Sequence, residues 1–362
     1  MTATIELFVD RDTPTAAAEF ARYAAGVRLK VEGALSAWLA AKAAETAKVP
    51  TGARAPIEAA HDLAKRGGKR WRAVLVAAAY DAFQGEGGPG TVVLAGVAIE
   101  LLQVYLLIHD DWMDGDELRR GGPSVPAMMR ARFGDSDLAE ASAILSGDYA
   151  AGLALEALLS VPCPGDRVVR AARELARVEE EVVLGQLLDV HADVRAAEDW
   201  AVEATYALKT ASYTVRAPVL IGALLAGASD SVCSALEAYA VPLGVAFQLR
   251  DDLLGTFGDA SATGKPPLTD LRRGKLTALI ADVARQPGAS ERLSAFGDPS
   301  ASREDLEALA SHLEVSGARA RVEARIDALL AEARSALEIV PLSEPGRRVL
   351  LGAIPTLGHR EH

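Results

Sequence analysis

The sequence is poor in cysteine, in aromatic residues and in positive charge, and each shortage excludes a class of protein. Its only two cysteines, Cys163 and Cys233, stand far apart without a CxxC companion, so neither a zinc site nor a disulfide framework is indicated. The formal net charge of −12 argues against nucleic acid as a main partner. Aromatic residues make up only 5% of a chain that is 50% hydrophobic. Its abundant alanine and leucine favour helix over strand.

Signals for export or membrane insertion are also lacking. The opening "MTATIELFVDRDTP" carries acids where a signal peptide would carry lysines. No segment reaches the roughly 18 unbroken apolar residues that are typical of a membrane span. We therefore expect a cytoplasmic protein with no membrane span.

Helical periodicity runs through most of the chain and predicts an all-α fold. No alternating pattern longer than four residues and no repeat of fixed period is present. We expect residues 1–14 to form a flexible N-terminal arm and residues 15–362 to fold as a single large helical bundle. The predicted helices are 15–48, 57–83 with a break at Gly67-Gly68, 91–113, 137–159, 166–194, 199–226, 231–257, 271–285, 303–311 and 316–338.

Acidic residues follow the apolar helix 91–113 in the stretch "DDWMDGDELRRGG". Asp110 and Asp114 are four residues apart and therefore share one helix face, with Asp111 beside them. Carboxylates so placed repel one another and are good ligands for Mg²⁺. The alternative is an exposed acidic helix end that Arg119 and Arg120 neutralise. The apolar helix favours the metal site, because acids at the end of a buried helix border the core.

A second apolar helix ends in "FQLRDDLLGTFGD" and has the same construction. Its paired aspartates are Asp251 and Asp252, but Gly255 stands where a carboxylate four residues after Asp251 would complete the pattern. Helical bundles commonly build metal sites from side chains on facing helices. The two acidic helix ends could therefore face each other and hold metal ions between them.

Cations occur in unusual settings elsewhere in the chain. Any one of them could simply be a solvated side chain. Together with the acids, they indicate a polyanion such as pyrophosphate, bridged by Mg²⁺ and clamped by Lys and Arg. They are Lys69, Arg70 and Arg72 in "RGGKRWR", Lys209 beside Thr210 in "LKTAS", and Lys265 and Lys275 in "TGKPPLTDLRRGK".

The ordered set of motifs resembles the polyprenyl (isoprenyl) diphosphate synthase family of trans-prenyltransferases, in particular its short-chain, geranylgeranyl diphosphate synthase-like members. "GGKRWR", "DDWMDGDELRRG", "GQLLD" at 185–189, "KTAS" and "FQLRDD" followed by "FGD", "TGKP", a single "D" and "GK" occur in the family's order. The resemblance implies a helical bundle of the isoprenoid synthase type with a central active-site cavity. It also implies joining of isopentenyl diphosphate to an allylic diphosphate (dimethylallyl, geranyl or farnesyl diphosphate).

Roles for individual residues follow from this resemblance. Asp110, Asp114 and Asp251 would bind Mg²⁺, three ions per site, and Asp111 and Asp252 would support them as further catalytic residues. The residues that would hold the allylic diphosphate are Arg119, Lys209, Thr210, Gln248 and Lys265, with Lys275 nearby. Those that would bind isopentenyl diphosphate are Lys69, Arg72, Gln103 and Arg120. The seven-residue spacing from Gln103 to Asp110 independently places both on nearly the same helix face.

Product length and assembly are further implications of the resemblance. In the family, bulky residues four and five places before the first acidic motif close the cavity that holds the growing tail. Leu106 and Tyr105 occupy these places, and a single aromatic residue at the more remote one predicts geranylgeranyl diphosphate, with farnesyl diphosphate as second candidate. The family forms dimers, and the helix 91–113 is apolar on more faces than one core needs, so we expect a homodimer.

Three alternatives remain for such a helical protein. A purely structural helical bundle would leave the ordered motifs unexplained. A non-catalytic subunit of the same fold would be expected to lose acids from the first motif, but all three are present. A class I terpene cyclase also ionises an allylic diphosphate on acid-rich helices. It needs no second diphosphate site, so "GGKRWR" and the second arginine of "RRG" argue against it.

Overall fold

The computed structural model describes residues 13–192, 194, 199–258 and 268–359, and the described residues are almost entirely helical. The all-α prediction is confirmed. A π-helical segment, Ala207–Arg216, lies between the helices Asp199–Tyr206 and Ala217–Leu225. The helices are α1 (Thr13–Glu45), α2 (Thr51–Lys65), α3 (Trp71–Ala82), α4 (Pro89–Asp114), α5 (Val125–Phe133), α6 (Asp137–Leu159), α7 (Gly165–Val190), α8 (Asp199–Tyr206), α9 (Ala217–Leu225), α10 (Asp230–Phe257), α11 (Thr269–Arg273), α12 (Ala278–Ala284), α13 (Ala289–Arg292), α14 (Arg303–Val315), α15 (Ala318–Glu338) and α16 (Glu344–Gly358).

The end of α4 sets the position of the first acidic motif. Gly115 ends the helix in the left-handed conformation (φ 64°), and its N–H bonds to the carbonyl of Asp111. A short hairpin follows, in which β1 (Leu118–Arg119) pairs with β2 (Gly122–Pro123). The turn between them has positive φ at Arg120 and Gly121, as tight hairpins require. The sequence pattern missed these strands because two residues are too few to show alternation.

One predicted helix, 271–285, is wrong as a continuous element. The structure divides it into α11 and α12, because Gly274 ends α11 at φ +69° and Thr277 caps α12 by accepting a hydrogen bond from the Ile280 N–H. The interruption leaves Lys275 outside both helices. Of the predicted flexible arm, residues 1–12 lie outside the described residues, and α1 begins at Thr13.

Two groups of buried side chains form the core. One lies around α10, α15 and α12, and the other around α4, α6, α2 and the first half of α7. Helices α3 and α9 contribute to both, since they pack on each other and carry buried residues on opposite faces. This arrangement holds the C-terminal ends of α4 and α10 at a single cavity.

Three helices are long and apolar enough to cross a membrane by length and composition alone, namely α4 from Gly90, α6 and α10. The search for unbroken apolar runs missed them because polar residues interrupt each one. In the structure, 61%, 50% and 50% of their apolar windows are buried inside the protein. The absence of a membrane span stays a prediction.

Candidate active site

A cavity of about 820 Å³ opens between the C-terminal ends of α4 and α10. Its wall also includes residues of α3, α7, the π-helical segment and the segment from Thr269 to Lys275. Asp111 and Asp114 of the predicted site do not line it, and Lys265 lies outside the described residues. The predicted site residues that line the cavity are Lys69, Arg72, Gln103, Tyr105, Leu106, Asp110, Arg119, Arg120, Lys209, Thr210, Gln248, Asp251, Asp252 and Lys275.

The first acidic motif divides between the cavity and the protein interior. Asp110 lines the cavity, and Asp114 is exposed one turn further along α4. Asp111 is fully buried and accepts hydrogen bonds from Arg119, one of them at 2.6 Å from Nε. Burial raises the pKa of Asp111 to about 6, although Arg119 opposes the rise. Asp111 therefore positions Arg119 and does not face a ligand itself.

Arg119 is held by a second carboxylate that the sequence analysis overlooked. Its Nη2 donates to Asp116 Oδ2 at 3.0 Å, and Arg273 contacts the other oxygen of Asp116 at 2.5 Å. Asp116 is buried, so these are charge-assisted contacts in a poorly solvated place. Asp116 thereby connects Arg119 of the hairpin to Arg273 of α11.

The second acidic motif is not divided in this way, because Asp251 and Asp252 both line the cavity. Asp252 is nevertheless only 2% exposed, and it accepts hydrogen bonds from Gln248 at 2.8 Å and from the Tyr206 hydroxyl. Burial raises the pKa of Asp252 to about 6, against the opposing charge of Lys275. Gln248 also accepts a hydrogen bond from Thr210 at 2.8 Å. The side-chain amide of Gln248 thus links Thr210 of the π-helical segment to Asp252.

Lys209 and Lys275 stand among the cavity carboxylates. Lys209 Nζ lies 2.5 Å from Asp189 Oδ2 and 3.3 Å from Asp110 Oδ1. Burial alone would lower the pKa of Lys275, but Asp270, Asp252, Asp189 and Asp110 together raise it above its usual value. Both lysines are therefore charged, and acids from α4, α7, α10 and α11 converge on them.

The diglycine loop before α3 forms the other side of the cavity. Gly68 has φ +136°, which side chains rarely adopt, and Arg70 is left-handed at φ 54°. Arg70 points inward, where its buried guanidinium pairs with Glu100 at 2.9 Å and donates to the Ala64 carbonyl at 2.9 Å. Arg70 also contributes to the cavity wall, together with its neighbours Lys69 and Arg72.

Two arginines on this side face an environment dominated by cations. Arg72 donates to Thr214 Oγ1 at 2.7 Å and lies 4.4 Å from the centre of the Tyr213 ring. Arg120 has a buried Nη1 with no hydrogen-bond partner among the described residues. Burial lowers the pKa of Arg120 to about 10; the charge of Glu100 opposes this fall, and the nearby Arg70, Arg72 and Arg119 add to it. A bound anion would accept a hydrogen bond from Arg120 Nη1, which has no partner among the described residues.

The acidic side has a donor set that suits a divalent cation. Within the part of the chain that the structure describes, no three acids or histidines already form a metal cage. Mg²⁺ does not need one, because it keeps several waters and shares its coordination sphere with phosphate oxygens. Asp110 and Asp251 line one cavity from two helices, and their carboxylate oxygens are the hard donors that Mg²⁺ prefers. These residues fit a hard cation that is bound together with a phosphorylated ligand.

The fold and this cavity define a class: helical bundles of the isoprenoid synthase type, with acid-bearing helix ends on one side and a cationic loop on the other. The chain belongs to the polyprenyl synthetase family, whose model matches residues 56–313.

Relatives and solved structures agree with this assignment. The chain is 38% identical over 269 residues to (2E,6E)-farnesyl diphosphate synthase of Mycobacterium tuberculosis, covering 71% of this chain and 70% of the relative. It is 33% identical over 300 residues to geranylfarnesyl diphosphate synthase of Aeropyrum pernix, covering 81% and 90%. The structure of geranylgeranyl pyrophosphate synthase from Corynebacterium glutamicum, complexed with isoprenyl diphosphate and magnesium, superposes with a TM-score of 0.84 at 30% identity, covering 94% and 99%.

Several residues of the site were absent from the sequence prediction. Asp189 ends the "GQLLD" motif, so the resemblance already contained the signal that could have found it. Tyr206 precedes the "LKTAS" stretch but gave no local signal, because its partner Asp252 is 46 residues away. Asp270 is the aspartate between "TGKP" and "GK", so the resemblance contained its signal too. Asp116 meets Arg119 and Arg273 only in the folded chain.

Proposed function

We propose that the protein is a trans-prenyl diphosphate synthase that joins isopentenyl diphosphate to an allylic diphosphate, with geranylgeranyl diphosphate as its product. One observation carries this proposal: a single cavity has acids and lysines on one side and a cluster of cations on the other. A reaction between two diphosphates needs two such sites. A terpene cyclase needs only the first.

The mixed-charge side would receive the allylic diphosphate. Asp110, Asp114 and Asp251 would hold Mg²⁺, three ions per site, which supplies positive charge that helps the diphosphate to leave. Lys209 and Lys275 would add fixed positive charge at the same place, where a poorly solvated setting makes it most effective. The role of Lys265 in this contact stays a prediction.

Isopentenyl diphosphate would bind to the cationic side. Lys69, Arg72 and Arg120 would contact its phosphates, with Gln103 beside them on α4. Thr214 and Tyr213 already hold the guanidinium of Arg72, so little side-chain entropy would be lost on binding. The double bond of this substrate would attack the allylic cation, and the departing diphosphate would accept the proton, so no side-chain nucleophile is required.

The proposed product depends on the residues before the first acidic motif. Tyr105 and Leu106 both line the cavity, and the Tyr105 ring packs edge-on against His109 with ring centres 4.8 Å apart. A tail that grows along α4 would meet this aromatic pair. Farnesyl diphosphate is the second candidate, and the relatives' names include both products.

The proposed activity has a direct test. The purified protein is incubated with Mg²⁺, isopentenyl diphosphate and, separately, dimethylallyl, geranyl or farnesyl diphosphate, and products are measured by mass spectrometry. We expect elongated diphosphates only when isopentenyl diphosphate is present. Hydrocarbon formed from an allylic diphosphate alone would indicate a cyclase, and no product under any condition would indicate a non-catalytic subunit.

We further propose a homodimer, on a different surface from the one the sequence suggested. The faces of α4 are packed by α1, α2, α3 and α6 of the same chain, so its apolar surplus is used internally. Large apolar side chains are instead exposed along α6 and α7. A second copy would cover them, and light scattering that gave a monomer mass at micromolar concentration would refute the assembly. Examples are Leu145, Leu155, Leu159, Leu184 and Leu188.

A further inference from the structure

Two aromatic rings of α4 form part of the cavity wall. Tyr105 and His109 are four residues apart, so they share one face of the helix, and both line the cavity. Their ring centres lie 4.8 Å apart in an edge-on arrangement. The width of the cavity beside Tyr105 therefore depends on where the His109 ring lies.

The His109 ring is held against α6. Its Nε2 lies 3.0 Å from the carbonyl oxygen of Ile144, and since a carbonyl oxygen only accepts hydrogen bonds, Nε2 is the donor. Asp148 Oδ1 lies 3.6 Å from the same nitrogen. Ile144 and Asp148 are about one helical turn apart, so the ring lies over the turn of α6 that joins them.

Gly147 belongs to this turn and leaves the space that the ring occupies. It is buried, and a Cβ built on it would overlap Cδ2 and Nε2 of His109. An alanine at this position would therefore break the hydrogen bond to Ile144. It would also push the ring away from α6 and toward the cavity, because the ring lies between the two. The absent side chain of Gly147 thus forms a recess in α6 for the His109 ring.

We propose that Gly147 helps to set product length, because its recess keeps the His109 ring out of the path of the growing prenyl tail. This inference rests on the proposed function, since the width of the cavity matters only if a tail lies in it. Gly147 contacts the ring and not the substrate, so it is a positioning residue that acts through His109. It adds a limit from α6 to the one that Tyr105 and Leu106 would set from α4.

The test fills the recess and then removes the ring. Gly147→Ala adds one methyl group, and Gly147→Ala/His109→Ala adds the same group with no ring to displace. His109→Ala alone leaves the recess empty. Gly152→Ala is the matched control, because Gly152 is exposed on the same helix and a Cβ there would have nothing within 4 Å. Thermal melting shows whether each variant is folded.

Two readouts report the width of the cavity. The first is the chain length of the products formed with Mg²⁺, isopentenyl diphosphate and each allylic primer, measured by mass spectrometry. The second requires no turnover: calorimetry with Mg²⁺ gives the affinity for farnesyl diphosphate divided by that for dimethylallyl diphosphate. Both ligands carry the same diphosphate and differ in tail length, so the ratio cancels any change at the diphosphate sites.

We expect Gly147→Ala to make a product one isoprene unit shorter than the native chain does and to lower the affinity ratio about tenfold, the effect of overfilling a packed space. The double variant should recover the native ratio and a product at least as long as the native one. His109→Ala should lengthen the product, because the recess and the place of the ring are then both open to the tail. Gly152→Ala should behave as the native chain does.

A native product length and affinity ratio in Gly147→Ala would overturn the inference, and so would a shortened product that persists in the double variant. If Gly147→Ala does not fold, an unchanged product and ratio in His109→Ala would have the same consequence. Failure of the proposed function is a separate outcome. The native chain would then make no prenyl product with any primer, while the affinity ratios would still test the recess.

Discussion

The two sides of the cavity use positive charge in opposite ways. On the mixed-charge side each cation already has a carboxylate, as in the pairs of Lys209 with Asp189 and of Arg119 with Asp111. On the cationic side, among the described residues, the buried carboxylate of Glu100 is bonded to Arg70, and Arg120 Nη1 has no hydrogen-bond partner. Carboxylates outnumber cations on the first side, where several aspartates surround Lys209 and Lys275, and the second side is strongly positive.

This difference predicts how each side accepts a diphosphate. A side on which carboxylates outnumber cations repels a polyanion unless further cations arrive with it, which is the role that we propose for Mg²⁺. A positive side needs no such help, because a phosphate supplies the missing partner directly. The asymmetry would also keep the two substrates apart, since the metal-bound diphosphate suits only the acidic side.

The largest expected effect is loss of the first acidic motif. Asp110→Ala should reduce turnover by several orders of magnitude while the fold survives, because it removes a proposed metal ligand at the cavity wall. Steady-state kinetics and circular dichroism measure the two properties, and Asp135→Ala, an exposed acid after α5, is the control. Near-normal turnover in Asp110→Ala would remove the metal role from this side.

Removal of the metal tests the comparison more directly. With a chelator present, calorimetry should show that the allylic diphosphate no longer binds measurably, whereas isopentenyl diphosphate still binds. The reason is that only the mixed-charge side depends on added cations. Equal loss of both substrates would mean that the two sides do not differ in the way that their ion pairs suggest.

Single cations should separate the two sides by substrate. Lys69→Ala or Arg72→Ala should chiefly raise the KM for isopentenyl diphosphate, and Lys209→Ala that for the allylic substrate. Removing one charged clamp costs about 1.5–3 kcal/mol of binding, or roughly 10- to 150-fold in affinity. If variants from both sides weakened the same substrate equally, the assignment of two subsites would be wrong.

Residues close together in sequence made part of this site predictable. Helix geometry placed Gln103 and Asp110 on one face, and both line the cavity, whereas Asp114, predicted on the same face, does not. The partners of these groups were not predictable, because Tyr206 meets Asp252, and Arg273 meets Asp116, only across the folded chain. Local patterns indicate which side chains carry charge, but the balance between the two sides depends on long-range pairing.

Substitution of Tyr105 should have the smallest effect on the reaction rate. Its effect should appear in the chain length of the product. Tyr105→Ala removes the ring that packs against His109 in the cavity wall, so space opens along α4 below the first acidic motif. We expect longer prenyl diphosphates by mass spectrometry with Mg²⁺ and both KM values nearly unchanged, because neither diphosphate site is touched. Leu106→Ala, one residue nearer to Asp110, is the matched comparison. If it lengthened the product while Tyr105→Ala did not, Leu106 and not Tyr105 would set the limit on the growing tail.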